Sequence, residues 1–280
     1  MNNLGYYNGE IDLIENMKIP MLDRCIYFGD GVYEATFAMN HTIFALEEHV
    51  ERIYNNANLL KINIPYRKEE IKTILSDLAK KVDSDKQFVY WQITRGTALR
   101  THAYPKDIKG NLLVYITPLN FIGMKDEKIK LITLEDTRFF HCNIKTINLL
   151  PNVMASQAAE ELGCEEAILH RGDRVTEGSH SNVHIIKNGV LKTAPTDNLI
   201  LPGITRRHVI DICNNNNIPV SEKVFTLKEL MDADEILITS STKLVRAAKE
   251  VDGITVGGNA PEIVKVIKEE YMKKILRETS

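Results

Sequence analysis

The stretch that decides the fold opens with Lys145-Thr146-Ile147-Asn148-Leu149-Leu150 and closes with Glu177-Gly178-Ser179-His180-Ser181-Asn182. Between the two ends lies a run with helical spacing. A lysine in an apolar, strand-like setting is thus followed by a carboxylate beside a turn of small residues. Those are two parts of one kind of site. A lysine amine can hold pyridoxal phosphate (PLP) as a Schiff base. A carboxylate at the pyridine nitrogen keeps it protonated, so that the ring acts as an electron sink. Both residues also have a plain reading. On a strand, His141, Asn143, Lys145 and Ile147 share one face and Cys142, Ile144 and Thr146 the other. Lys145 could then be a solvated lysine on a half-exposed strand, and Glu177 an exposed turn carboxylate.

Working outward, a bound phosphate needs backbone N–H groups and a cation. Gly203-Ile204-Thr205 opens a helix, so its amides and the helix dipole can face an anion, and Thr205 adds a hydroxyl. The same threonine could be an ordinary N-cap. Thr239-Ser240-Ser241-Thr242 offers four hydroxyls at a strand end, or is a polar loop. Arg52 could contact a phosphate bidentately, or belong to a solvated helix face. Arg100 and His102 stand two apart in a loop and can point at one carboxylate.

The N-terminal part, residues 1–119, reads as a small α+β domain. Asn8-Gly9 signals a hairpin turn, and Asp30-Gly31 punctuates the run over residues 27–38. Apolar spacing predicts helices over 47–63 and 68–82, and β-branched and aromatic runs predict strands over 87–95 and 111–117. Residues 118–128 read as a linker. The second domain, 120–280, is expected to anchor the cofactor. Its predicted strands are 129–134, 142–149, 166–170, 182–186 and 235–239. Its predicted helices are 152–162, ended by Gly163, 205–214, a short one started by the capping box Thr226-Leu227-Lys228-Glu229, and 261–276.

The bulk numbers exclude several classes. The 280 residues carry a formal net charge of -3, with 44% hydrophobic and 26% charged residues, which gives no footprint for nucleic acid or an anionic membrane. Four widely spaced cysteines without a C-x-x-C pair argue against zinc and against a disulfide framework, so no metal is expected. The N-terminus lacks the pattern of a signal peptide, and no apolar run approaches the roughly 18 residues of a membrane span. A cytoplasmic location is expected.

Together, and in this order, the fragments resemble the fold-type IV PLP enzymes. That class holds branched-chain aminotransferases, D-amino acid aminotransferases and aminodeoxychorismate lyases. The markers are Phe28-Gly29-Asp30-Gly31-Val32-Tyr33-Glu34, Glu48-His49-x-x-Arg52, Lys145 with Asn148-Leu149-Leu150, Glu177-Gly-Ser-x-Ser-Asn182 and Gly203-Ile204-Thr205-Arg206. The likeness covers essentially the whole chain and implies the two-domain α+β fold of that class. It implies that Lys145 forms the Schiff base and shuttles the α-proton, and that Glu177 binds the pyridine nitrogen. Arg52, Ile204, Thr205, Ser240 and Ser241 would hold the phosphate, and Leu201 would pack on the ring.

Within the class, the Arg100-x-His102 loop is similar to that of the D-amino acid aminotransferases. There it holds the substrate α-carboxylate together with a tyrosine matching Tyr33, and Thr242 joins the substrate-binding set. The loop comes from the neighbouring subunit in that family, which implies a homodimer with shared active sites. The implied reaction moves an amino group between D-amino acids and 2-oxo acids. Its rivals are an L-branched-chain aminotransferase, an aminodeoxychorismate lyase of the same fold, and a PLP-binding protein without transaminase activity. His180, Ala35 and residues 243–248 depart from the family pattern. Lys243 and Arg246 are expected in a loop that adds charge near the entrance.

Overall fold

The computed structural model describes residues 2–120 and 123–280. Met1 of the expected N-terminal reading, and Phe121 and Ile122 of the expected linker over 118–128, lie outside the described residues. Contacts along the backbone divide the chain into two compact units. One comprises Met1–Ile122, Ile144–Asn148 and Ile275–Ser280, the other Gly123–Asn143 and Leu149–Lys274.

In the first unit the chain runs β1 (Leu4–Tyr7), β2 (Glu10–Asp12), α1 (Arg24–Phe28), β3 (Gly31–Met39), β4 (Thr42–Ile43), α2 (Leu46–Leu59), α3 (Lys68–Ala79), β5 (Lys86–Thr94) and β6 (Asn111–Pro118). The strands form a six-stranded antiparallel sheet in the order β2-β1-β6-β5-β3-β4. The turn at Asn8-Gly9 joins β1 to β2 as its sequence predicts, with both residues at positive φ, 48° and 105°. The helical periodicity also holds. Val50, Ile53 and Ala57 of α2, with Ile71, Leu75 and Leu78 of α3, join Val32, Val89, Trp91 and Val114 in one core. Each fully buried Leu or Ile there contributes roughly 1.5–3 kcal/mol of transfer free energy.

Helix α1 was not expected. The Asp23 carboxylate caps it by accepting the Cys25 N–H at 2.9 Å, and Gly29 ends it in the left-handed region at φ 59°. A second difference concerns the predicted strand over residues 142–149. It is reduced to an isolated bridge between Thr146 and Val32. The Tyr33 N–H donates to Lys145 O at 3.0 Å, and the Ile147 N–H donates to Gly31 O at 3.2 Å. The reason lies at the two ends of the segment. Strand β4 covers only Ala38 and Met39, so the β3 edge is open, but the Cys142 N–H is taken by Asn198 O at 2.9 Å and a helix begins at Leu150. That short pairing holds Lys145.

The second unit contains β7 (Ile129–Glu135), α4 (Leu150–Glu161), β8 (Glu166–Arg171), β9 (Arg174–Gly178), β10 (Asn182–Lys187), β11 (Val190–Thr193), α5 (Ile204–Asn215), β12 (Val220–Glu222), α6 (Leu227–Met231), β13 (Glu235–Ser240), β14 (Leu244–Val251), β15 (Ile254–Thr255) and α7 (Pro261–Thr279) up to Lys274, the last residues of α7 being counted with the first unit. Its nine strands form a mixed sheet ordered β12-β11-β10-β13-β14-β7-β8-β9, with β15 on β14. The capping box closes α6 as predicted. The Glu229 N–H donates to the Thr226 hydroxyl at 3.1 Å, and the Thr226 N–H donates to the Glu229 carboxylate at 2.9 Å. Residues 244–251 are a strand, not the loop expected for 243–248. Leu244, Val245, Ala247 and Ala248 are buried, with Arg246 buried between them, and β14 pairs with both β13 and β7. No helix among the described residues is long and apolar enough to cross a membrane.

Candidate active site

Tyr33, Arg52, Arg100, His102 and Lys145 lie in the first unit. Glu177, Leu201, Ile204, Thr205, Ser240, Ser241 and Thr242 lie in the second.

In the first unit, strand alternation sends Tyr33 and Glu34 to opposite faces of the sheet. The Lys145 ammonium stands 4.2 Å from the centre of the Tyr33 ring. That ring stacks on Tyr90 at 5.6 Å, and Tyr90 stacks on Tyr115 at 4.7 Å, so a ladder of aromatic rings supports the surface below the lysine. On the other face, Glu34 is fully buried and accepts two N–H groups of Arg52, each at 2.7 Å, and His49 Nδ1 at 2.6 Å. Burial alone would push the Glu34 carboxyl up. The Arg52 guanidinium and His49 outweigh it and hold the group down at about 2. Burial lowers His49, and nearby Arg52 and Lys145 lower it further, against the pull of Glu34. Arg52 is therefore an oriented guanidinium on a buried carboxylate rather than a solvated helix residue.

Arg100 and His102 are brought together. Both are exposed, and both lie against the Phe28 ring, at 5.0 and 5.2 Å from its centre. The Arg24 guanidinium also lies over Phe28, at 4.8 Å, and donates to Thr101 O at 2.7 Å, which ties the loop between them. Arg24 and Arg95 are in turn held by Asp30, each at 2.8 Å.

In the second unit, Glu177 is the penultimate residue of β9 and is almost wholly buried. Its Oε1 accepts Arg138 Nη1 at 2.6 Å. Its Oε2 accepts the Asn182 amide at 3.0 Å and the Leu201 N–H at 2.9 Å. Burial pushes its carboxyl up to about 7, against the lowering effect of Arg138 and the Leu201 N–H. The Asn182 amide also donates to Leu201 O at 2.9 Å, so one side chain fixes both Glu177 and Leu201. Ile204 and Thr205 form the first turn of α5 and are buried, and the Thr205 hydroxyl accepts Tyr271 OH at 3.3 Å. Gly203 precedes them at an ordinary φ of -66°, but a Cβ there would sit 2.0 Å from Asn182 Oδ1. Ser240 ends β13, on which α5 packs, and its hydroxyl accepts the Lys243 N–H at 3.1 Å. Ser241 is half-buried and Thr242 exposed.

The charged residues that depart from the family pattern are tied down. Lys243 Nζ donates to Glu165 O at 2.8 Å, and Arg246 donates to Glu127 O at 3.1 Å. His180 is half-exposed, and its Nδ1 meets buried Glu166, which also accepts the Ser179 and Ser181 hydroxyls.

Spacing in the sequence assigns no role to Glu34, His49, Asp136 or Arg138. Glu34 and His49 stood inside quoted motifs. Asp136-Thr137-Arg138 offered a weaker signal, two opposite charges at strand spacing just before Lys145.

Residues 31–251 match the family described as Amino-transferase class IV. A D-alanine aminotransferase of Bacillus licheniformis is 37% identical over 98% of this chain and 98% of its own length. One from Listeria monocytogenes is 40% identical over 94% of this chain and 93% of its own. Among solved structures, a branched-chain amino acid aminotransferase from Escherichia coli superposes with a TM-score of 0.88 at 22% identity, over 97% of this chain and 94% of that one. A branched-chain aminotransferase from Thermoproteus uzoniensis gives 0.87 at 24% identity, over 98% and 95%. Likeness at that identity carries the fold alone, which is the fold-type IV transaminase fold. The family match and the full-length relatives carry more: this chain belongs to the Amino-transferase class IV family.

Proposed function

We propose that the chain transfers an amino group between D-amino acids and 2-oxo acids, with D-alanine and 2-oxoglutarate giving pyruvate and D-glutamate. The observation that carries the D-specific reading is the placing of Arg100 and His102 on one ring, Phe28, in a loop tied by Arg24. Two cationic or donor groups fixed beside each other suit a carboxylate. The relatives named D-alanine aminotransferase point the same way.

PLP is the cofactor this reading requires. The residues fit it: a lysine amine over an aromatic ring, a buried carboxyl with a raised proton affinity, and a helix N-terminus whose glycine admits no side chain. When bound, PLP supplies the electron sink that stabilises the charge left when Cα loses its proton. Lys145 Nζ would take that proton from Cα and deliver it to the cofactor's carbon instead, Tyr33 would orient the amine and the substrate carboxylate, and Glu177 would keep a proton at the ring nitrogen. Arg52, the N–H groups of Ile204 and Thr205, Ser240 and Ser241 hold the phosphate. Leu201 packs on the ring face, and Thr242 lines the substrate. Holding the carboxylate on the side of Arg100 presents the Cα–H to Lys145 in the D-enantiomer only.

The remaining parts of the reading are a domain division at 119/120, a homodimer in which the Arg100 loop serves the neighbouring subunit, and a cytoplasmic location. Unbridged Cys25, Cys142, Cys164 and Cys213 suit a reducing compartment.

A half-reaction tests the stereochemistry. Yellow holoprotein is mixed with D-alanine or with L-leucine, without an oxo acid. Bleaching of the cofactor band by D-alanine alone is expected. Bleaching by L-leucine alone overturns the D-specific reading, as does a D-alanine rate that Arg100→Ala leaves unchanged.

A further inference from the structure

A cluster beside Glu177 holds two acids and one shared cation, and the acids shift in opposite directions. Arg138 divides its guanidinium between them. Its Nε and Nη2 chelate Asp136, each at 2.9 Å, while Nη1 alone reaches Glu177, at 2.6 Å. Asp136 is further satisfied by the Arg138 N–H at 3.0 Å, the Thr176 hydroxyl at 3.1 Å and the Arg171 guanidinium at 3.3 Å. Its side chain is wholly buried, yet these donors hold its carboxyl below the ordinary range against burial. Glu177 receives a single N–H of the shared cation plus the neutral Asn182 and Leu201 donors, and there burial wins. The Cys142 thiol also faces the pair. It is pushed up to about 11, first by burial, with Glu177 and Asp136 adding to the rise. Among the described residues, the charged or titratable groups acting on Glu177 include Arg138, Asp136 and Cys142, with Arg171 held to Asp136.

We propose that Asp136 is a positioning residue: by occupying the chelating edge of Arg138 it leaves the Glu177 carboxylate short of positive charge, and that deficit is what a protonated ring nitrogen fills. The inference rests on the reading of Glu177 as the ring-nitrogen partner. A carboxylate fully paired with its own guanidinium would gain little from a second cation. One that shares its guanidinium with a better-placed acid keeps a demand for another N–H⁺. The cofactor's nitrogen would be held by this shortfall as much as by Glu177 itself.

The test uses cofactor-free protein. Carboxyl titration is followed by carbon NMR on glutamate-labelled samples, with Glu177 assigned from Glu177→Gln. In Asp136→Asn, Arg138 is freed for Glu177, and the Glu177 midpoint is expected to fall by about one unit, equivalent to roughly tenfold in its affinity for a proton. Asp136→Glu, which keeps the charge, is expected to restore it in part. A midpoint in Asp136→Asn that stays or rises overturns the proposal. If that variant fails to fold, Asp136→Glu decides. A Glu177 midpoint below the wild-type value supports the proposal, and one at or above it overturns it. Binding to the cofactor-free protein, read by fluorescence, separates the two layers. PLP is compared with an analogue carrying carbon in place of the ring nitrogen. The wild type is expected to prefer PLP, and Asp136→Asn to narrow that preference by about tenfold. Equal wild-type affinity for the two ligands, with the midpoint shift intact, sinks the ring-nitrogen reading of Glu177 and the proposal with it. A wild-type preference that Asp136→Asn leaves untouched sinks the proposal alone.

Discussion

Two buried glutamates on the two units respond oppositely to their surroundings. Glu34 has an ordinary value of 4.5 and is held at about 2, so the folded form binds fewer protons than the unfolded chain between those values. Its contribution is present above pH 4.5 and is lost as pH falls through 2. Glu177 is raised from 4.5 to about 7, so its contribution is present below pH 4.5 and is lost as pH rises through 7. Each shift is on the order of 3 kcal/mol. The melting temperature of cofactor-free protein should therefore fall on both flanks of a maximum in mild acid. Glu177→Gln should flatten the alkaline flank and Glu34→Gln the acid one. An alkaline flank that survives Glu177→Gln would show that another group causes it. The proposed chemistry makes turnover depend on Lys145. Lys145→Ala should lose D-alanine turnover by several orders of magnitude while the protein still melts cooperatively. Appreciable transamination by that variant would remove Lys145 from the chemistry.

At the scale of elements, small backbone devices place these side chains. The bridge of Thr146 to Val32 seats Lys145 beside Tyr33 with very little pairing. The turn from β9 to β10 carries Glu177 on one strand end and Asn182 on the next, and the amide of Asn182 joins them. Gly203 lets the start of α5 approach that amide. Gly203→Ala keeps an allowed φ but drives its Cβ into Asn182 Oδ1, at 2.0 Å before relaxation. The expected cost is about 1–3 kcal/mol, as for other overpacked sites. The Asn182 amide would be displaced from Glu177, so PLP affinity should fall as well. A variant with unchanged melting temperature and unchanged PLP affinity would mean that the contact relaxes freely.

For the whole molecule, the surface carries large apolar side chains that a monomer would leave in water. Met21, Leu22 and Ile26 are exposed on the first unit, and Leu150, Val153 and Met154 on the first turns of α4 in the second. They fit the proposed homodimer. Sedimentation should give about twice the 31.8 kDa chain mass. A monomer at working concentration that still turns over D-alanine would end the shared-site reading.

Much of this organisation is written locally in the chain. The stripes of α2 and α3, the Asn8-Gly9 turn and the Thr226 capping box follow from neighbours a few residues apart, which is why spacing alone located them. The order Lys145, Glu177, Gly203-Ile204-Thr205 was legible in the same way, as a motif in sequence. Tertiary structure decided what spacing cannot express. The alternation over 142–149 resembled a strand, but only Thr146 bridges to β3, because the Cys142 N–H is taken by Asn198 O and α4 begins at Leu150. Residues 243–248 resembled a charged loop, but all except Lys243 pair with β13 or β7. Asp136 and Arg138 carried no visible role because the partner that gives them one lies 39 residues beyond Arg138. Periodicity is a property of adjacent residues, whereas the compensation of a buried charge depends on groups that only folding brings within hydrogen-bond reach.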